Sequence, residues 1–171
     1  RTSIATRVGT GVIFSYGNST AAPYNDLFSV GGANSIRAFT VRGVGPGSYI
    51  PGASAYSYID QMGDFKIEMH AEYRFPIVSM LSGAVLLDAG NVWLLDAAVN
   101  RPGGTFDISR LGKALTLGTG LGIRCDLDFL VLRFDVGVGL HAPYDTGKSG
   151  YYNMPKFKDS LGYHFAVGYP F

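Results

Sequence analysis

The sequence predicts an all-β fold, a transmembrane antiparallel β-barrel to which this chain contributes about six strands. Three observations lead to this prediction. Apolar and polar residues alternate with a period of two over several long segments, these segments are too long for ordinary globular strands, and long and short connections alternate between them. Together these observations favour strands that cross a bilayer over the strands of a soluble sandwich.

The clearest alternation lies in FKIEMHAEYRF, residues 65–75. Its odd positions are all apolar, and its even positions carry the polar side chains Lys66, Glu68, His70, Glu72 and Arg74. A helix would spread these charges around its axis, whereas a strand places them all on one face. This segment is therefore predicted to be a strand with one apolar face and one charged face.

The same period recurs along the chain, with glycine as well as charge on the polar face. The alternating segments run for roughly eleven to fourteen residues, which exceeds the usual length of globular strands and suits a tilted strand across a bilayer. Rows of glycine suit a crowded or tightly curved interior. We predict six strands, near residues 3–16, 63–76, 81–94, 113–126, 129–140 and 160–171.

The connections between these segments alternate strictly between long and short. Roughly 45 residues follow the first strand, and the next connections have about four, eighteen, two and nineteen residues. Short turns at one end and long loops at the other are typical of outer-membrane barrels. A soluble β-barrel that binds an apolar ligand is the alternative, and it would fold without detergent.

Composition and motifs exclude several classes of function. The chain has 171 residues, a net charge of +1 and 16% charged residues, so we expect no nucleic-acid partner. Its one cysteine, Cys125, cannot form an internal disulfide, and His70, His141 and His164 are isolated, so we expect no metal site. The motifs of serine hydrolases, zinc proteases and phosphate-binding loops are absent, so we expect no enzyme and no cofactor.

Six strands are too few to close a barrel in a membrane. The smallest bacterial barrels have about eight strands, and an open sheet edge in lipid leaves backbone groups without partners. The opening RTSIATRVG has no apolar leader and begins at a predicted strand. We therefore expect this chain to be the C-terminal part of a larger barrel, or to be completed by another chain.

Four motifs follow one another in the order of a known family. They are GGANSIRAF, EYRFPI, LLDAGNVW and the aromatic alternation that ends at Phe171. Across essentially the whole chain, they resemble the BamA/TamA superfamily of outer-membrane assembly factors, whose barrel is the bacterial surface antigen domain. The segment HAPYDTGKSGYYN is similar to the TamA-like branch of Bacteroidota.

The resemblance implies a domain organisation. The family barrel has about sixteen strands, so residues 1–171 would be its C-terminal portion with roughly the last six. Residues 17–62 would form a long extracellular loop that enters the lumen with the IRAF motif. The chain would contain no POTRA domain, and the other strands and the POTRA segments would lie upstream.

The resemblance also implies a functional site, which we call the loop latch. In the family, the arginine of the motif loop meets acidic residues on neighbouring strands, and by position these residues are Arg37, Glu72 and Asp88. The period-two pattern independently places both carboxylates on the charged face, where a guanidinium can donate to them in a planar fork. The residues that shape and pack this loop would be Gly31, Gly32, Ile36 and Phe39.

One position departs from the family motif, since Ala38 stands where the family has glycine. If that position needed a positive φ angle, alanine would be strained there. The other charges of the polar face are interpreted as simple neighbour pairs without a special role: Glu68, Arg74, Arg124, Arg133 and Asp135.

The last strand carries its own expectations. Tyr169 and Phe171 resemble the terminal aromatic signal by which barrels are recognised for insertion, and Tyr169 and Trp93 are candidate aromatics for the membrane interface. Glycine and proline would weaken this strand, which suits a seam at which a barrel opens: Gly162, Gly168 and Pro170.

The predicted function is that of a non-enzymatic outer-membrane factor that inserts, folds or translocates client proteins in a Gram-negative bacterium. The expected partners are outer-membrane lipids, unfolded client proteins, the upstream barrel and POTRA segments, and accessory assembly subunits. A two-partner-type secretion pore and a passive outer-membrane barrel are the alternatives.

Overall fold

A computed structural model describes residues 2–19, 21–50, 52, 60–98 and 100–169. Its regular structure is almost entirely β, which confirms the predicted fold class. Among the described residues, a single short helix, α1, covers Leu111–Ala114, and short 3-10 turns lie at Tyr24–Asp26, Ile108–Arg110 and Lys158–Ser160. The six strands are β1 (Ser3–Val12), β2 (Phe65–Val78), β3 (Leu81–Trp93), β4 (Thr116–Asp126), β5 (Val131–His141) and β6 (Leu161–Val167).

The strands form one antiparallel sheet in chain order, so each strand lies beside its neighbours in the sequence. Residues 79–80 join β2 to β3 and residues 127–130 join β4 to β5, while the other connections are long. The short turns therefore lie at one end of the sheet and the long connections at the other, as the sequence predicts.

The first and last strands end sooner than predicted. β1 ends at Val12 rather than at residue 16, and Phe14 and Tyr16 are exposed beyond it. β6 ends at Val167 because Gly168 adopts a φ of 91°, which an extended strand does not allow. The predicted strand end at residue 171 lies outside the described residues.

The sheet has an apolar outer face and a charged inner face. On the inner face, charged side chains are buried, and charged residues are almost never fully buried unless they are paired. This arrangement is expected when the apolar face meets lipid and the polar face lines a lumen. The exposed residues of the outer face include Ile4, Val8, Tyr73, Val85, Leu87, Leu121, Ile123, Phe134, Tyr163, Phe165 and Val167.

The main apolar cluster lies between the inner face and the first long connection. Residues 28–44 of this connection fold back onto the sheet, and Val30 pairs with Val44 in an antiparallel bridge. The loop is therefore part of the folded core. The cluster consists of Val30, Ile36, Ala38, Phe39, Val44 and, from β3, Val92.

Buried polar side chains at the strand ends join the long connections to one another. Asn91 Nδ2 donates to the Gly47 carbonyl over 3.0 Å and to the Ala114 carbonyl over 2.6 Å, which links the first and second long connections. The His141 ring stacks on Tyr151 of the third, with ring centroids 4.3 Å apart. These contacts hold the long connections together at their end of the sheet.

Trp93 is not at a membrane interface, contrary to the expectation from the sequence. Its side chain is 1% exposed, and its ring centroid lies 5.4 Å from that of Phe106 and 5.7 Å from that of Phe65. The second long connection covers this end of β3, where Leu94 pairs with Thr105 in a parallel bridge. The tryptophan is thus buried by a loop whose path the local sequence pattern does not reveal.

Within the described part of the chain, β1 pairs only with β2 and β6 only with β5, so the sheet has two open edges. An open edge in lipid would leave backbone groups unsatisfied, and the sheet therefore fits part of a barrel. No helix among the described residues is long and apolar enough to cross a membrane.

We expect Leu87→Arg to destabilise the protein by about 2–4 kcal/mol in lipid, the cost of an arginine at the bilayer midplane. Leu87 is exposed near the middle of β3, on the outer face. The measurement is urea unfolding of the full-length protein in lipid vesicles. Ile108→Arg is the matched control, because Ile108 is also exposed and apolar but lies in a long connection. A change within about 0.5 kcal/mol for Leu87→Arg, typical of a water-exposed site, would contradict a lipid-facing outer face.

Candidate functional site

Two glycines shape the loop that carries Arg37. Gly31 and Gly32 have φ angles of 105° and 100°, which L side chains rarely adopt. A methyl group at Gly31 would also overlap the Thr40 carbonyl oxygen. The backbone N of Gly32 donates to the Phe39 carbonyl over 2.9 Å and so closes the loop. The result is a compact turn that contains Arg37.

Arg37 is buried against the inner face, where it contacts both carboxylates that the sequence singled out. Its Nε and Nη2 each donate to an oxygen of Asp88 over 2.8 Å, and its backbone N donates to Asp88 Oδ2 over 3.1 Å. Its Nη1 donates to Glu72 Oε2 over 2.5 Å. Asp88 therefore binds the backbone and the guanidinium fork together, while Glu72 binds one edge of the fork.

His70 is the second residue that contacts Asp88. Its Nδ1 lies 3.0 Å from Asp88 Oδ1, and the two residues are directly paired across β2 and β3. From the sequence, His70 is an isolated histidine with no expected role in the loop latch. In the structure His70 is buried and holds the carboxylate that binds Arg37.

Arg124 and Asp135 extend the site onto β4 and β5. Arg124 Nη2 donates to Glu72 Oε2 over 2.9 Å, and its Nη1 donates to Asp135 Oδ1 over 2.5 Å. Arg37 Nη1 lies 3.8 Å from Asp135 Oδ2. Sequence reasoning treated Arg124 and Asp135 as a simple neighbour pair, whereas the structure places both in one buried network with Arg37. The alternation already indicated that both lie on one face, but the contact of Arg124 with Glu72 depends on the register of the strands.

Two further contacts hold the loop at opposite sides of the site. Ser35 Oγ donates to Glu68 Oε1 on β2. On β5, Arg133 Nη2 donates to Asn34 Oδ1 over 2.6 Å and to the Ala33 carbonyl over 2.9 Å. Since β3 and β4 lie between these strands, the loop spans the sheet from β2 to β5. Sequence reasoning gave Glu68 and Arg133 no role in the loop, because nothing local links them to residues 33–35.

A groove lined by glycine receives the loop backbone. Gly118, Gly137 and Gly162 lie on the inner faces of β4, β5 and β6. A methyl group at Gly137 would overlap the Arg37 carbonyl oxygen, and one at Gly162 would lie 2.6 Å from it. Any side chain at these positions would therefore push the loop away from the sheet.

Ala38 is accommodated without backbone strain. Among the described residues, the non-glycine residues with positive φ are Arg42 and Asp128, so Ala38 does not need the angle that favours glycine. Its methyl group faces Gly118, where an added Cβ would lie 2.5 Å away. The departure from the family motif thus fits because β4 has no side chain at this point.

The guanidinium of Arg37 is a permanent cation in this site. Burial by itself would lower its pKa, but hydrogen bonds and charge attraction from Asp88 and Glu72 outweigh burial and raise the pKa above its ordinary value. The loop therefore carries a fixed positive charge that the inner face must compensate.

A comparison with models of protein families matches residues 1–171 to the Omp85 superfamily domain. The chain belongs to the Omp85 superfamily. This membership is consistent with the resemblance of its motifs to the BamA/TamA superfamily, while the TamA-like branch of Bacteroidota stays a prediction. A comparison with curated proteins found no match.

Proteins of the Omp85 superfamily are bacterial outer-membrane proteins that insert, assemble or secrete other proteins without enzymatic chemistry. The inner face of this chain agrees with such a role at that general level, because its buried groups bind a loop of the same chain. Among the residues that the structure describes, no group of three His, Cys, Asp or Glu side chains could hold a metal ion.

The C-terminal strand of this Omp85 domain differs from the expectation. Gly168 ends the alternation, and the guanidinium carbon of Arg74 lies 4.5 Å from the centre of the Tyr169 ring. Arg74 belongs to the inner face, so the exposed Tyr169 ring contacts that face rather than continuing the outward row of β6. The role of Tyr169 in a C-terminal signal stays a prediction, and Phe171 lies outside the described residues.

We expect Arg37→Met to lower the free energy of unfolding by about 3–5 kcal/mol, the usual cost of breaking a buried ion pair. The variant leaves the buried Asp88 carboxylate without its two hydrogen bonds from the Arg37 guanidinium, while the bond from the Arg37 backbone N remains. Arg37→Lys should lose less, because it keeps the positive charge although not the planar fork. Urea unfolding in lipid vesicles measures both changes. Arg110→Met, at an exposed arginine, is the control, and an equal loss in that variant would contradict a specific role for Arg37.

A size exchange between β4 and the loop tests the fit of Ala38. Gly118→Ala should expel the loop, because its methyl group would lie 2.5 Å from the Ala38 Cβ. Adding Ala38→Gly should restore docking, since the nearest remaining atom outside the loop, the Val138 carbonyl oxygen, is at an ordinary 3.5 Å. Protease sensitivity of residues 28–44 reports docking. If Gly118→Ala alone leaves the loop protected, or the double variant stays as sensitive as Gly118→Ala, the proposed fit is wrong.

Proposed function

We propose that this chain is the C-terminal part of the barrel of an outer-membrane protein insertion or assembly factor in a Gram-negative bacterium. The observation that carries the proposal is the buried contact of Arg37 with Glu72 and Asp88 inside an outward-apolar sheet. Omp85 membership supports insertion, assembly or secretion at a general level, and the assignment to insertion is ours.

We propose that the loop latch holds the loop in its docked position inside the barrel lumen. A passive wall needs no arginine donated from a loop, because its own charges can pair across strands. Here the loop backbone packs against glycines of the inner face, and Arg37 donates hydrogen bonds to the carboxylates of Asp88 and Glu72. Breaking such a buried pair is costly, so the latch favours a single docked arrangement of the loop.

The proposed domain organisation follows from the same reasoning. Residues 1–171 would form the C-terminal portion of the barrel, and residues 17–62 would be the extracellular loop that enters the lumen. We propose that the remaining strands and the POTRA segments lie upstream and that this chain itself contains no POTRA domain. The open edges of β1 and β6 support completion by further strands, since lipid does not satisfy free backbone groups.

The proposed partners are outer-membrane lipids on the outer face, unfolded client proteins and accessory assembly subunits. We further propose that β6 borders a seam at which client strands are received. Its short pairing with β5 supports this, as does the break at Gly168. Pro170, which would also weaken a seam, lies outside the described residues. No enzymatic step is part of the proposal, because the buried polar groups of the site bind one another and the loop.

The proposal predicts that Arg37→Glu impairs client assembly by about tenfold or more, since each 1.4 kcal/mol lost from a required state changes its population tenfold. The substitution brings a carboxylate against Glu72 and Asp88. Adding Asp88→Arg should rescue assembly in part, because it restores one opposite pair while Glu72 and His70 remain unchanged. The measurement is insertion of an outer-membrane barrel client by the full-length protein in vesicles.

The control for this experiment is Arg110→Glu, an equal charge reversal at an exposed arginine of the second long connection. Wild-type client assembly by the Arg37→Glu variant would contradict the latch and favour a passive barrel. A secretion pore would use the same latch, so export of a soluble partner into the vesicle medium is measured in parallel. Loss of export with intact client insertion would replace the assembly proposal by secretion.

A further inference from the structure

The docked loop touches the last strand directly. A Cβ at Gly162 of β6 would lie 2.6 Å from the carbonyl oxygen of Arg37, and one at Gly137 of β5 would overlap the same atom. Gly137 and Gly162 are directly paired across the two strands. Arg37, whose side chain binds Glu72 and Asp88, therefore packs its backbone against the paired glycines of β5 and β6.

A second route leads from the latch to the end of the last strand. Glu72, which binds Arg37, also accepts a hydrogen bond from Arg74 Nε over 2.8 Å. The guanidinium of Arg74 lies over the Tyr169 ring, 4.5 Å from its centre, at a distance typical of a cation–π contact. Gly168 redirects the chain so that Tyr169 can reach the inner face, and its backbone N donates to the Val131 carbonyl over 2.7 Å.

These contacts involve β6, the strand with the fewest residues paired to a neighbouring strand in the described sheet. β6 pairs with β5 through the seven residues Leu161–Val167, whereas every other pairing of neighbouring strands involves ten residues or more of each strand. Its other edge is open in the described part of the chain. Contacts at both ends of such a short strand therefore have a large share in fixing its position.

We propose that the docked loop is a brace for the last strand, and that Gly162, Arg74 and Tyr169 are the positioning residues through which it acts. Docking of Arg37 holds the start of β6 through the backbone contact at Gly162 and its end through Arg74 and Tyr169. Release of the loop frees β6 to move relative to β3–β5. The inference rests on the geometry of the docked loop and holds whether the barrel inserts clients or secretes a partner.

The brace has a consequence that ordinary packing does not have. Two sites that are coupled influence each other by the same free energy, so the effect must run in both directions. Undocking the loop must loosen β6, and disturbing the contacts of β6 must loosen the loop. A merely structural role of Tyr169 would affect overall stability without changing how readily the loop opens.

The forward direction is tested by the distance between two spin labels on the full-length protein in lipid vesicles, with Cys125→Ser as background. The labels are placed at Phe165→Cys on β6 and Leu87→Cys on β3, both exposed on the outer face. We expect one narrow distance distribution with Arg37 present and a clearly broader or second one with Arg37→Met. An unchanged distribution, in a sample whose loop is shown to be open, would overturn the brace.

The reverse direction is tested by the reaction of Val44→Cys with a hydrophilic maleimide. Val44 belongs to the loop and is completely buried in the apolar cluster between the loop and the inner face, so the reaction rate reports loop opening. Tyr169→Leu removes the ring over Arg74, and Gly162→Ala places a methyl group against the Arg37 carbonyl. Each should raise the rate by a factor within about 5–150, the usual range of coupling between sites.

Two matched controls separate the brace from general destabilisation. Tyr163→Leu removes an exposed aromatic ring from the outer face of the same strand, and Gly9→Ala adds a methyl group to a strand glycine that has open space around it. Both should leave the maleimide rate within about twofold of the wild type, because neither site is coupled to the loop. Equal acceleration by Tyr163→Leu and Tyr169→Leu would overturn the proposal.

A double variant completes the experiment. If Tyr169 acts through the docked loop, adding Tyr169→Leu to Arg37→Met should not raise the maleimide rate further, since the loop is already released. Multiplication of the two effects would show that Tyr169 acts independently and would overturn the brace. Client insertion is measured on the same samples, so a failure of the brace is distinguished from a failure of the proposed function.

Discussion

The structure depends on burying one arginine while keeping its charge compensated. Moving a guanidinium out of water costs free energy. This cost is offset only when carboxylates accept its hydrogen bonds with good geometry. Asp88 and Glu72 supply both, and His70 and Arg124 in turn hold these carboxylates. The docked arrangement of the loop satisfies these groups, whereas an undocked loop would leave buried charges without partners.

This requirement explains why the core lies inside the sheet. The outer face is apolar and exposed, so it cannot provide a core in the usual way. Apolar residues of the loop, with Ile36 and Phe39 on either side of Arg37, pack over the inner face instead. They exclude water from the charged network, which strengthens its electrostatic interactions. Glycine on β4, β5 and β6 is needed for the same reason, since only a bare backbone lets the loop approach this closely.

Much of the fold could be predicted, because successive side chains of a strand point to opposite faces and so alternate in the sequence with a period of two. The alternation placed Glu72 and Asp88 correctly on the inner face, and family resemblance directed attention to Arg37. The pattern could not show which residues lie opposite one another. Between Pro76 and Val78 the pairing of β2 with β3 shifts at an irregularity, and this shift brings His70 opposite Asp88.

The sequence by itself determined the all-β class, the direction of the two faces and the alternation of long and short connections, because each follows from residues close together in the chain. Only the tertiary structure decided that Arg124 and Asp135 join the site, that Trp93 is buried and that Tyr169 turns inward to Arg74. These outcomes depend on strand register and on the paths of long loops. Both are set by contacts between segments that are distant in the chain, and the local alternation of residues does not reveal these contacts.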